Sequence, residues 1–107
     1  MSFDAFDASL ELVKQLRRSV AQLETRDRDL ALQLRRAASS VALNINEGRR
    51  RTGKDRTHLW RVAAGSANEV KAALQVAEAW GHLDGDAIVG ALAVLDRVLA
   101  MLWRMTH

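Results

Sequence analysis

Apolar residues recur at every third or fourth position along nearly the whole chain, and no proline breaks the series. That spacing lines side chains up on one stripe of a 3.6-residue helix, where a strand would alternate them between two faces. Phe6, Leu10, Val13, Leu16, Val20 and Leu23 predict a first helix from about Asp4 to Glu24. Thr25 to Asp29 contains no apolar residue and offers Asp27 as an N-cap. Leu30, Leu34, Ala37, Val41 and Ile45 then form a second stripe, expected to end at Gly48. After the polar connection Arg49 to Asp55, Thr52 and Asp55 have approximate capping-box spacing, with Asp in place of the preferred Glu. The third stripe is Leu59, Val62, Ser66, Val70, Ala73, Ala77 and Trp80, closed by Gly81 as a left-handed C-cap. Asp84 can cap a fourth helix running to about Met105. Four helices of about 20 residues with short connections favour antiparallel neighbours. The expected fold is therefore all-α, an antiparallel up-down-up-down four-helix bundle formed as a single domain over residues 1–107.

Composition supports one compact core. A chain of 107 residues buries roughly two thirds of its unfolded surface, and 49% apolar residues with 5% aromatics match an alanine- and leucine-rich helical protein. With no Cys there is no disulfide framework, thiolate metal site or cysteine nucleophile, which suits a reducing compartment. The opening Met-Ser-Phe-Asp-Ala-Phe-Asp has neither the basic region nor the apolar run of a secretion signal, so a cytoplasmic location is expected. The most apolar stretch, Ala87 to Leu95, is far shorter than the ~20 residues that span a bilayer, so no membrane association is expected.

Charge is unevenly distributed. Between Arg28 and Arg61 there are nine basic residues and three acids, a local excess of +6 within a chain whose total is +3. One basic region on a mildly acidic body points to a partner. The helix dipole accounts for Arg49, Arg50 and Arg51 at a helix C-terminus, at ~0.3–1 kcal/mol each. It disfavours Lys54 and Arg56 at the start of the next helix, so something else must keep them there. Arg49, Arg50, Arg51, Lys54 and Arg56, supported by Arg35 and Arg61, are thus the candidates for gripping phosphates of RNA or DNA by counterion release. An acidic protein docked on a scaffold is the alternative partner. On the second helix, Arg28, Arg35, Asn46 and Arg50 share an outward face with Leu32 and Leu43, a mixture divided evenly between an interface and plain solvent surface.

The fourth helix carries more apolar surface than a bundle core uses. Around Leu95, the residues Val89 and Trp103 fall on one flank and Val94, Val98, Met101 and Met105 on the other, an arc of roughly 240°. Self-association is expected there, with Val94, Val98, Met101, Met105 and Trp103 as the interface residues.

Catalytic and cofactor constellations are missing. His58, His82 and His107 are dispersed, and Glu78 with His82 straddles Gly81, where a helix should end, so the pair reads as structural. There is no phosphate-binding glycine loop, nucleophile elbow or zinc-protease motif. No catalytic, cofactor or metal residue is assigned, and a non-enzymatic role is expected. Asn44, Ser66 and Glu69 read as a buried polar network fixing helix register. Trp60 and Trp80 read as core or flank residues, with Trp60, beside Arg61, a secondary candidate for stacking a base.

Two blocks carry a family resemblance. Gln33-Leu34-Arg35-Arg36-Ala37-Ala38-Ser39-Ser40-Val41-Ala42-Leu43-Asn44-Ile45-Asn46-Glu47-Gly48 resembles the signature of the 23S rRNA intervening-sequence four-helix-bundle proteins. His58-Leu59-Trp60-Arg61-Val62-Ala63-Ala64-Gly65-Ser66-Ala67-Asn68-Glu69 is similar to that family's second block, at matching separation. The family's positions map onto Arg35, Arg36, Asn44, Glu47, Gly48, Gly65, Ser66 and Glu69. Ala42 stands where the family usually has Pro, and Asn46 where it usually has Ala, which implies a straighter second helix here. The resemblance implies a bundle without a catalytic role. A related branch, the accessory variability determinant of diversity-generating retroelements, implies a homo-oligomer, a ring of five, whose basic surface binds nucleic acid and a protein partner, a reverse transcriptase.

Overall fold

The computed structural model describes residues 3–107, which form four helices: α1 (Asp4–Glu24), α2 (Arg28–Arg49), α3 (Gly53–Ala79) and α4 (Gly85–Thr106). Each helix packs on its sequence neighbour and α4 returns to α1, closing an antiparallel four-helix bundle. The rod measures 42 × 22 × 21 Å. Among the described residues no helix is long and apolar enough to cross a membrane.

Local chemistry accounts for most helix ends. The Asp27 carboxylate accepts a hydrogen bond from the Leu30 N–H at 3.0 Å, so α2 starts where its N-cap lies. Helix α3 ends in a Schellman motif: Gly81 has φ of 78°, its N–H donates to the Glu78 carbonyl, and the His82 N–H donates to the Ala77 carbonyl. Two expected caps do not form, because neither Thr52 nor Asp84 makes a side-chain capping bond. The positive φ of 57° in the α2–α3 turn belongs to Gly53, and Gly48 is a helical residue inside α2.

The core face of α1 and α3 keeps part of the expected stripe, Leu16 and Leu23 in α1 and Ser66, Val70, Ala73 and Ala77 in α3, but is rotated from the rest of it. In α1 the buried set is Ala5, Ala8, Ser9, Leu12, Leu16, Ser19 and Leu23, while Phe6, Val13 and Val20 are half-buried on a flank and Leu10 is exposed. In α3, Ala63, Ala67, Leu74 and Trp60 join the interior, while Val62 and Trp80 leave it. Small residues on the inner face let the axes approach closely, and the bulkier residues then fill the grooves between helices. The Ser9 hydroxyl, buried at this seam, is satisfied by the Phe6 carbonyl one turn back.

Candidate nucleic-acid interface

The five cations between Arg49 and Arg56 meet at one end of the bundle, around the α2–α3 turn, but they do different work. Arg56 reaches back from α3 to the open carbonyls of α2: its Nε donates to Gly48 O at 3.1 Å and its Nη2 to Arg49 O at 2.9 Å. Its guanidinium also lies 5.3 Å from the Trp60 ring centroid. The cation that the α3 dipole disfavours is therefore a C-terminal clamp on α2, so a ligand is not needed to explain its presence. Arg49 lies 5.3 and 5.5 Å from the Phe3 and Phe6 ring centroids and donates to Asn46 Oδ1 at 2.7 Å. Arg51 donates twice to Glu47 Oε1, at 3.1 and 2.9 Å. Arg50 and Lys54 are exposed, with no side-chain partner among the described residues.

The other two candidates are placed differently. Arg61 is exposed on α3, seven residues from Lys54 and on the same outward face, about 10 Å along the axis. Arg35 does not join the cluster: it precedes Arg49 by 14 residues, about 21 Å of helix, and lines the groove between α1 and α2 with Val13 and Val20. Charge persists at the turn although side chains are engaged. Arg49 and Arg56 are held by rings, an amide and carbonyls, all neutral, so none of these contacts cancels their charge, whereas Arg51 is matched by the Glu47 carboxylate.

Trp60 is a structural residue and not a base-stacking platform. Its side chain is buried and the indole N–H donates to the Ile45 carbonyl at 3.1 Å. It lies directly on Gly48, where a Cβ would fall 2.5 Å from Nε1 and 2.6 Å from Cδ1. The exposed indoles are Trp80, stacked on His82 with centroids 6.3 Å apart, and Trp103, stacked on His107. His82 is also 3.8 Å from Asp27, and its backbone carbonyl accepts from Arg26 and Gln22, so it ties the two loops at that end together. The polar network forms with one change of membership. Ser40 Oγ and Ser66 Oγ share a 2.8 Å hydrogen bond, and Asn44 Nδ2 donates to the Ser40 carbonyl and hydroxyl at 2.9 and 3.0 Å, whereas Glu69 is exposed and outside it.

The apolar flanks of α4 are corrected in part. Val94 and Val98 are core residues, Val98 with no exposed surface, so neither is free to meet another copy. Met101 and Met105 are half-buried against the core. Trp103, 62% exposed, is the interface candidate that stands clear of the bundle, on the same flank as the exposed Val89. The chain's α1 covers the other flank: Arg97 pairs with Glu11, and Gly90 lies against Gln15.

Sequence reading left out Phe3, whose ring fixes Arg49, and Ser40, which joins Asn44 to Ser66. The three-residue spacing of Phe3, the extended residue just ahead of α1, and Phe6 in its first turn was the available signal for the first. Among the described residues, no group of three His, Asp or Glu side chains is placed to hold a metal ion.

The family model described as 23S rRNA-intervening sequence protein matches residues 1–104. No curated protein matches the chain. A crystal structure of a protein with unknown function from the S23 ribosomal protein family of Bacteroides thetaiotaomicron shares the fold, with a TM-score of 0.87 over 95% of this chain and 97% of that one. The two are 17% identical, so the likeness concerns the fold alone. The family match runs through all four helices and both blocks, Gln33 to Gly48 and His58 to Glu69, and this chain belongs to the 23S rRNA-intervening sequence protein family.

Proposed function

We propose that this protein is a non-enzymatic, self-associating bundle that binds the phosphate backbone of nucleic acid, structured RNA or an RNA–protein complex, at the α2–α3 turn. One observation carries the reading: Arg49 and Arg56 are fixed as cations by neutral partners, while Arg50, Lys54 and Arg61 beside them are exposed and have no side-chain partner among the described residues. The fixed pair supplies a standing positive field, and the mobile three are free to contact phosphates. The family's name, which ties its members to 23S rRNA, agrees with this. Sequence preference is weak, because the one indole at the turn is buried and hydrogen-bonded. Copies associate through the Trp103 and Val89 flank of α4, so that the basic end repeats in each subunit and modest single-site affinity becomes avidity.

The test is a titration of labelled RNA and DNA at several salt concentrations. Neutralising Z phosphates lowers log K against log salt with a slope of about −0.7Z on single strands and −0.9Z on duplex DNA. Changing Arg50, Lys54 and Arg61 together to Ala should flatten that slope and leave thermal unfolding in place. No binding at low salt, or a triple variant that binds as the parent does, overturns the proposal.

A further inference from the structure

The nucleic-acid reading leaves the outward face of α2 unused. Leu32 and Leu43 stand 45% and 67% exposed there. Eleven residues separate them, which is three helical turns or about 16.5 Å, so both lie on one line along the rod. Ser39, small and exposed, lies between them, and the surface dips into a depression of about 360 Å³ lined by Leu32, Arg35, Arg36, Ser39 and Leu43 among others. Arg36 stands about 40° to one side of Leu32, with Arg28 and Arg35 about 40–60° to the other. These three arginines are exposed and have no side-chain partner among the described residues. Along α2 the acids are Asp29, in the first turn, and Glu47, already held by Arg51.

A ridge of two leucines edged on both sides by guanidinium groups has the reverse pattern of an acidic amphipathic helix. Such a helix, laid alongside α2 with apolar residues at i, i+4, i+7 and i+11, covers both leucines and the Ser39 saddle at once. Its flanking carboxylates then reach Arg36 on one edge and Arg28 and Arg35 on the other, in the fork geometry guanidinium favours. A phosphate backbone answers the arginines but gives the leucines nothing. We propose that the outward face of α2 is a docking surface for an acidic amphipathic helix of a protein partner, seated on Leu32 and Leu43 and paired with Arg28, Arg35 and Arg36. This surface shares its face with Arg50 but ends at Leu43, seven residues or about 10 Å short of it, and does not depend on nucleic-acid binding at the turn.

Two fluorescein-labelled synthetic helices of about five turns, roughly 18 residues, test the proposal by anisotropy. Both carry the same glutamates; one has Leu and the other Ala at i, i+4, i+7 and i+11. The Leu peptide should bind the whole protein at least about tenfold more tightly, from covering two half-exposed leucines. The double substitution Leu32→Ala and Leu43→Ala should abolish that difference without changing the circular dichroism or the unfolding midpoint. The Arg50, Lys54 and Arg61 triple variant should keep peptide binding, which separates failure here from failure of the nucleic-acid reading. Equal binding of the two peptides, binding of neither, or full retention in the leucine variant overturns the proposal. It is also overturned if Leu43→Glu lowers the oligomeric mass, which assigns the face to a second copy. Loss of RNA binding in the leucine variant likewise assigns it to nucleic acid.

Discussion

The same substitution, Gly to Ala within a helix, should have opposite signs at Gly48 and Gly65. On helix propensity alone both should stabilise by ~0.5–1 kcal/mol, because alanine loses less backbone freedom on folding. At Gly65 nothing lies within 4 Å of the added carbon, so the propensity gain stands uncontested. At Gly48 the added carbon would meet Trp60 Nε1 at 2.5 Å and Cδ1 at 2.6 Å. The indole has little freedom to withdraw, since its N–H is tied to the Ile45 carbonyl at 3.1 Å and Arg56 packs on its ring. Overpacking of this kind costs ~1–3 kcal/mol, and a buried N–H pulled from its acceptor costs ~1–3 kcal/mol. The two costs overlap, because a movement that relieves one incurs the other. An approach as short as 2.5 Å belongs in the upper part of that range, ~2–3 kcal/mol, so net of the propensity gain Gly48→Ala should destabilise by about 1–2.5 kcal/mol. At ~4–8 °C per kcal/mol for a domain of this size, the midpoint should fall by roughly 5–20 °C, while Gly65→Ala should raise it by a few degrees. Thermal and urea unfolding followed by circular dichroism, at matched protein concentration, measures both. A Gly48→Ala protein as stable as the parent would refute the Trp60 packing argument.

Arg56→Ala should cost about 1–3 kcal/mol by opening the Gly48 and Arg49 carbonyls, while Arg50→Ala and Lys54→Ala should each stay within about 0.5 kcal/mol in urea unfolding. Val98→Asp should abolish the cooperative unfolding transition, whereas Trp103→Asp should leave the helicity unchanged and reduce the mass measured by light scattering. If Trp103→Asp unfolds the chain or leaves its mass as in the parent, the α4 flank is not where copies meet. Ser66→Ala should destabilise by ~1 kcal/mol, since the Ser40 hydroxyl loses its partner across the α2–α3 seam while Asn44 stays bonded to the Ser40 carbonyl.

The bundle was legible in the sequence because its strongest signals are one-dimensional. Apolar period, missing proline and the punctuation at Asp27 and Gly81 located four helices to within about two residues of their bounds. Which side of each helix faces inward was harder, and the reason is chemical. Large residues dominate any apolar count, yet Ala63, Ala67, Ala5 and Ala8 occupy the inner faces of α3 and α1 beside the larger Leu12, Leu16, Val70 and Leu74, and they turn the buried face away from the line that the large residues alone would draw. The over-apolar α4 misled in a related way. A wheel shows how much surface is apolar but not how wide an arc two neighbours cover, and the flank holding Val94 and Val98 proved to be core.

The basic cluster shows a further limit, because a charge count records residues and not their partners. From sequence, Arg56 had no structural reason to stand at the start of α3, and the whole excess therefore pointed outward. Its reason lies eight residues back in the chain, in carbonyls that become neighbours only when the α2–α3 turn closes. The engagement of Arg49 and Arg56 removes two side chains from the set free to move but does not remove their charge, since their partners are neutral. Structure and recognition are thus compatible at this end of the rod. On the proposed reading, cations locked into the fold would lose no further side-chain entropy when a phosphate approaches, and those left loose beside them would provide the reach.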